Sequence, residues 1–349
     1  MESNDKDQAS SNNGGSNTVC TETEPDRVSE PDDALKTSSE PQRSSVESSQ
    51  KDEPDNIITD LIDALNFGRT KATTSDRPDA EMPVAPFSEY YNMKHKRRGL
   101  AVIFIYSEFS RGGPGRRDCA YHDAQICGAT FKKLGYEVQP YMNLTKHDFR
   151  KVLEQTQNLD HTDCDSLVVV FMSHGGLNKI TNQEFIWTYD SMVNTSELWK
   201  NFTPRKCPSL AGKPKMFFIQ ACRGEEVDKG VQLKKPRALS VQTDSADLTL
   251  NQDYAIPLYA DMLMMWASYP GMFAFKSKNH GMKGSVFLHF LTKVLNEDSR
   301  NLSLFSMLLR VTREVAIHYE SYVPGDGELD KNKQIPQMVS TLMRKVKFL

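Results

Sequence analysis

The chain has 349 residues, of which 38% are hydrophobic and 26% charged, enough apolar material to bury a substantial core. Met1 is followed by Glu2, Asp5 and Asp7 with no apolar stretch, and nowhere do eighteen apolar residues run together, so neither a secretory signal nor a membrane span is expected. The net charge of −3 hides an asymmetry: residues 1–85 carry 19 acidic and 8 basic side chains, whereas residues 86–349 carry 27 acidic and 35 basic ones.

The first fifty residues contain eleven serines, repeated acids and Pro25, Pro31 and Pro41, with little to bury. Residues 1–85 are therefore read as a disordered acidic leader. Inside it Ile57, Ile58, Leu61, Ile62 and Leu65 recur at helical spacing, either as a docking helix or as a transient one without a role. The basic run Lys94 to Arg98 is expected to be a solvated lead-in to a strand, and no nucleic-acid motif accompanies it.

Leu100 to Tyr106 is continuously apolar and rich in β-branched residues, as a strand buried on both faces requires. Asp123 to Leu134 reads as a helix stopped by Gly135. Tyr136 to Tyr141 follows as a strand, and Thr145 opens a second helix in a capping arrangement with Leu144 set to staple onto Phe149. Two further apolar strands, Leu167 to Met172 and Met216 to Gln220, end in Ser173-His174-Gly175-Gly176 and Ala221-Cys222-Arg223-Gly224. Residues 225–253 are polar and longer than the ~12 to 15 residues usual for an unstructured connection, so this loop is read as functional or cleaved. A strand (Met262 to Ala267), two amphipathic helices (Ser285 to Leu295, Leu304 to Tyr319) and a last strand (Met338 to Leu349) complete the pattern. Strands alternating with helices predict an α/β fold, a mostly parallel central sheet with helices on both faces.

In such a sheet the chemistry gathers beyond the carboxyl ends of the strands, where both His174 and Cys222 fall. The six cysteines show no zinc-like pairing, and without a secretory signal free thiols are expected. No metal or other cofactor is expected. Taken alone, a cysteine after a strand is most often an inert structural thiol. A histidine able to accept its proton makes it a nucleophile, and glycines beside both leave room for a substrate backbone.

The segment Gln220 to Gly224 reads QACRG, with His174 standing 48 residues before Cys222 within SHG. This pairing is a known caspase motif. From about Tyr90 to Leu349, including YYNMKHKRRG, CPSLAGKPKMFFIQACRG and a terminal QIP, the chain resembles the caspases, in particular insect executioner types. The resemblance implies a caspase-like three-layer α/β sandwich and a cysteine endopeptidase that cuts after aspartate, made as a zymogen and acting in apoptosis in the cytoplasm. Residues 86–244 would form the large subunit, 245–256 the rest of a cleavable linker and 257–349 the small subunit. Cys222 would be nucleophile and His174 base, with backbone N–H groups of Gly175 and Cys222 as the oxyanion hole. Arg117, Gln220 and Lys276 would hold the aspartate carboxylate, and Phe273 and Phe275 would line neighbouring subsites. Asp55, Asp79, Asp244 and Asp247 are the expected processing positions. Implied partners are aspartate-bearing protein substrates, a second copy or a related caspase in a dimer, and inhibitor-of-apoptosis proteins, with neither nucleic acid nor membrane.

Three departures from the family pattern stand out. Lys276 replaces the second arginine, Gly176 an acid usual after His-Gly, and Cys119-Ala120 a Gly-Thr pair after the first arginine. They leave open an alternative, a weakened homologue that regulates an active caspase by pairing or competition, and a third reading, a scaffold with an inert Cys222.

Overall fold

The computed structural model describes residues 80, 83–232, 256–279 and 282–348. The helical spacing read at Ile57 to Leu65, and Asp55, Asp79, Asp244 and Asp247, lie outside them. The elements in chain order are β1 (Leu100–Ile105), α1 (Ala120–Lys133), β2 (Glu137–Met142), α2 (Lys146–Asn158), β3 (Leu167–Met172), β4 (Gly175–Asn178), β5 (Gln183–Trp187), β6 (Met192–Asn194), β7 (Lys215–Gln220), β8 (Met262–Trp266), β9 (Lys276–Asn279), β10 (Met282–Ser285), α3 (Val286–Asp298), α4 (Leu304–His318) and β11 (Gln337–Ser340).

Six strands form the central sheet in the order β11-β8-β7-β3-β1-β2. All pairings are parallel except β8 with β11. Every residue of β1, β3 and β7 is buried. Alternate side chains along them feed two cores. Ala101, Ile103, Val168, Val170 and Phe218 meet α1, α3 and α4 on one face. Val102, Phe104, Val169, Phe171 and Phe217 meet Phe149, Val152 and Leu153 of α2 on the other, together with Ile186 and Val193 of the small β4–β5–β6 sheet. This is the expected α/β sandwich with helices on both faces. No helix among the described residues is long and apolar enough to cross a membrane.

The cap of α2 is as the sequence predicts: Thr145 precedes the helix and its Oγ1 accepts from the Asp148 N–H at 3.2 Å. Helix α1 begins at Ala120, one turn before the expected Asp123. Asp123 is fully buried and accepts from the N–H and hydroxyl of Ser285 just before α3 (2.9 and 2.5 Å), an interlock between the two helices that local sequence does not disclose.

Two expectations are corrected. The last strand stops at Ser340, because the Ser340 hydroxyl accepts from the Leu342 N–H at 3.1 Å and turns the chain, after which Tyr91 Oη accepts from the Met343 N–H. Val346 and Phe348 then rejoin the core. The basic run is solvated only at Lys94, Lys96 and Arg97. His95 and Arg98 turn inward onto Asp165 at 2.9 and 2.8 Å.

Candidate active site

Strands β3 and β7 run parallel with Met172 opposite Gln220. The Ser173 N–H continues the ladder to the Gln220 carbonyl at 3.0 Å. His174 and Cys222 thus leave the same edge of the sheet side by side, each two residues beyond a paired couple. Gly175 completes the approach: a Cβ there would stand 2.8 Å from the Cys222 carbonyl and 2.8 Å from that of Phe185. Only glycine fits between them.

His174 is 5% exposed, and its ring packs 5.1 Å from that of Phe109. Its Nε2 donates to the Gly115 carbonyl at 2.7 Å. A carbonyl only accepts, so in the neutral ring the proton sits on Nε2 and Nδ1 is the basic nitrogen. Sequence reasoning missed Gly115. The run Gly112-Gly113-Pro114-Gly115 was its only signal, a loop that brings main chain close to a partner.

The Cys222 thiol is partly exposed and meets the main chain of Ala274, whose N–H donates to Sγ at 3.4 Å and whose carbonyl lies 3.8 Å away. Residues 271–273 are strapped to the chain leaving Cys222 by Arg223 N–H to Met272 carbonyl (3.1 Å), Gly271 N–H to Arg223 carbonyl (3.2 Å) and Phe273 N–H to Glu226 carbonyl (3.0 Å). Gly224 is obligatory in this pairing, since a Cβ would fall 2.2 Å from the Gly271 carbonyl. The turn Tyr269-Pro270-Gly271-Met272 leads into this strap and closes with Met272 N–H to Tyr269 carbonyl at 3.1 Å, with Gly271 at φ +85°.

Arg117 is 1% exposed. Its Nη1 donates to the Tyr106 carbonyl at 2.9 Å, while Nε and Nη2 are buried without a hydrogen-bond partner among the described residues. Gln220, 2% exposed, likewise has its side-chain oxygen unmatched. A buried cation with two unspent donors is costly to leave empty and is suited to a carboxylate, which accepts two parallel bonds. Arg117 stands two residues beyond Gly115, Gln220 two before Cys222, and Lys276 two beyond Ala274, so each is close in the chain to the nucleophile or to a residue that touches the dyad. Burial pushes the Cys119 thiol up, with Arg117 and Lys276 opposing the shift electrostatically. Burial also raises the thiols of Cys127, Cys164 and Cys207, so these cysteines are poor nucleophiles. Phe273 is half-buried with its ring 6.3 Å from that of Phe275, and Phe275 is buried against Tyr319 at 5.6 Å.

Residues 98–347 match the family model of the caspase domain. The chain belongs to the caspase family. Caspase-1 of Drosophila melanogaster is 36% identical over 269 residues, covering 77% of this chain and 79% of that protein. Caspase drICE of the same fly is 31% identical over 288 residues, 82% of this chain and 80% of that one. The crystal structure of caspase-1 from Spodoptera frugiperda aligns with a TM-score of 0.69 at 32% identity, covering 77% of this chain and 99% of that chain. This caspase is thus of the cysteine-peptidase type. Its departures now have surroundings: the Phe185 ring lies 2.9 Å from where a Cβ of Gly176 would stand, and Cys119 Sγ lies 4.0 Å from Ser285 Oγ, opposite Lys276 in the β9–β10 pair.

Proposed function

We propose that this caspase is an endopeptidase that cleaves after aspartate. The observation that carries this reading is the buried guanidinium of Arg117, two residues beyond the Gly115 that holds His174, with two nitrogens unpartnered among the described residues. An aspartate side chain supplies the matching anion. Nδ1 of His174 takes the thiol proton, and the Cys222 thiolate attacks the scissile carbonyl. N–H groups of Gly175 and Cys222 face the developing oxyanion. The imidazolium then gives its proton to the leaving amine, leaving a thioester that water hydrolyses with His174 again as base.

The enzyme is made as a zymogen with a leader (1–85), a large subunit (86–244), a linker remnant (245–256) and a small subunit (257–349). It works in the cytoplasm in apoptosis, as a homodimer or paired with a related caspase through the outer edge of β11, under control of inhibitor-of-apoptosis proteins. Five free cysteines among the described residues are in keeping with a reducing compartment. Lys276 favours a second reading, a weakened member that regulates an active caspase by pairing or competition. Turnover of a panel of peptides ending in aspartate by the purified protein decides: cleavage after aspartate supports the enzyme, and no cleavage together with a change in a partner caspase's rate supports the regulator.

A further inference from the structure

The residue that follows the nucleophile carries a buried charge with a single carboxylate partner among the described residues. Arg223 is buried, and its Nε and Nη2 reach Oε1 of Glu184 on β5 at 2.7 and 2.6 Å. Its Nη1 donates to the Ser268 carbonyl at 3.3 Å and to Oε1 of Gln337 on β11. The guanidinium lies 4.5 Å from the centre of the Trp266 ring on β8. Its main chain is paired with Gly271 and Met272, in the segment whose Ala274 touches the thiol. One side chain therefore joins β5, β8 and β11 to the nucleophile and to the segment 271–274 beside it.

A guanidinium this buried depends on its carboxylate, since removing one partner leaves an uncompensated charge that the surroundings must move to solvate. Arg223 cannot move without shifting Cys222, its neighbour, or the segment 271–274, whose main chain it holds. We propose that Glu184 is a positioning residue for catalysis: it fixes Arg223 and, through it, the placement of the Cys222 thiol against the main chain of Ala274. Glu184 reaches Arg223 from β5, the strand paired with the β4 segment that follows His174.

The inference rests on the peptidase reading, and its test separates the two. Full-length wild type, Glu184→Gln and Glu184→Asp are compared well below their melting temperatures for kcat and KM on an aspartate peptide, and for the pH midpoint of Cys222 alkylation by iodoacetamide, which needs no turnover. In Glu184→Gln we expect kcat to fall about tenfold or more with KM little changed, as for a misplaced reacting group. The alkylation midpoint should move to lower pH, because Arg223 loses its counter-ion beside the thiol. Glu184→Asp, which keeps the charge, should recover part of both and serves alone if Glu184→Gln does not fold. A Glu184→Gln protein with a lower melting temperature but wild-type kcat and midpoint overturns the proposal, leaving Glu184 a stability residue. If wild type cleaves no aspartate peptide, the peptidase reading fails and the midpoint alone decides the role of Glu184.

Discussion

His174 and Cys222 stand two residues beyond a directly paired couple, Met172 and Gln220, on neighbouring parallel strands. Their approach is set by sheet register, and the glycine at 175 admits no side chain between the carbonyls of Cys222 and Phe185. Replacing either by alanine should therefore abolish peptide cleavage while leaving the protein folded, with some loss of melting temperature in His174→Ala because its ring is buried against that of Phe109. Circular dichroism and turnover check both halves, and hydrolysis retained in Cys222→Ala would remove the protease assignment.

The pocket leads to a second prediction. Lysine keeps a positive charge at position 276 but lacks the planar fork that holds a carboxylate with two bonds. A charged hydrogen bond contributes about 1.5 to 3 kcal/mol, so Lys276→Arg should raise kcat/KM for aspartate peptides roughly ten- to a hundredfold. The gain should disappear in an Arg117→Ala background. An unchanged constant in Lys276→Arg would mean that this side chain does not touch the substrate carboxylate.

Maturation supplies the third. Asp244 and Asp247 in the long polar loop, and Asp55 and Asp79 in the leader, are followed by Ser245, Leu248, Asn56 and Ala80, in sequence of the polar kind that proteases cut. Mass spectrometry of the processed protein should find a new terminus after at least one of the four. Termini at none of them would refute the assignment.

The strand that carries the nucleophile starts on a buried amine. Lys215 is fully buried, donates to the carbonyls of Leu210 and Lys213 at 3.1 and 2.8 Å, and has its pKa lowered by desolvation to about 8. The unfolded chain holds this proton to higher pH than the folded one, so between about pH 8 and the ordinary lysine value unfolding takes up a proton. Stability from this group is lowest below pH 8 and rises with pH through that window, by up to about 3 kcal/mol. Relative to Lys215→Met, wild type should gain stability from about pH 8 to pH 10 in urea titrations. A difference independent of pH would show that the amine is not strained by burial.

Much of this architecture is legible in the sequence, because buried parallel strands must be apolar along their whole length. β1, β3 and β7 declare themselves as runs, and the residues just past two of them are the dyad. Thr145 announces its helix by a local bond. Other features arise only when distant segments meet. The Gly115 carbonyl that fixes the His174 tautomer, the Ala274 main chain on the thiol and the Asp123–Ser285 interlock pair residues far apart in the chain, and of these only Gly115, in its glycine-rich run, has neighbours that mark it. The unspent donors of Arg117 belong to the same class. An arginine in a polar loop reads as a solvated charge until the fold removes its water, and that removal is what makes it a site for an anion.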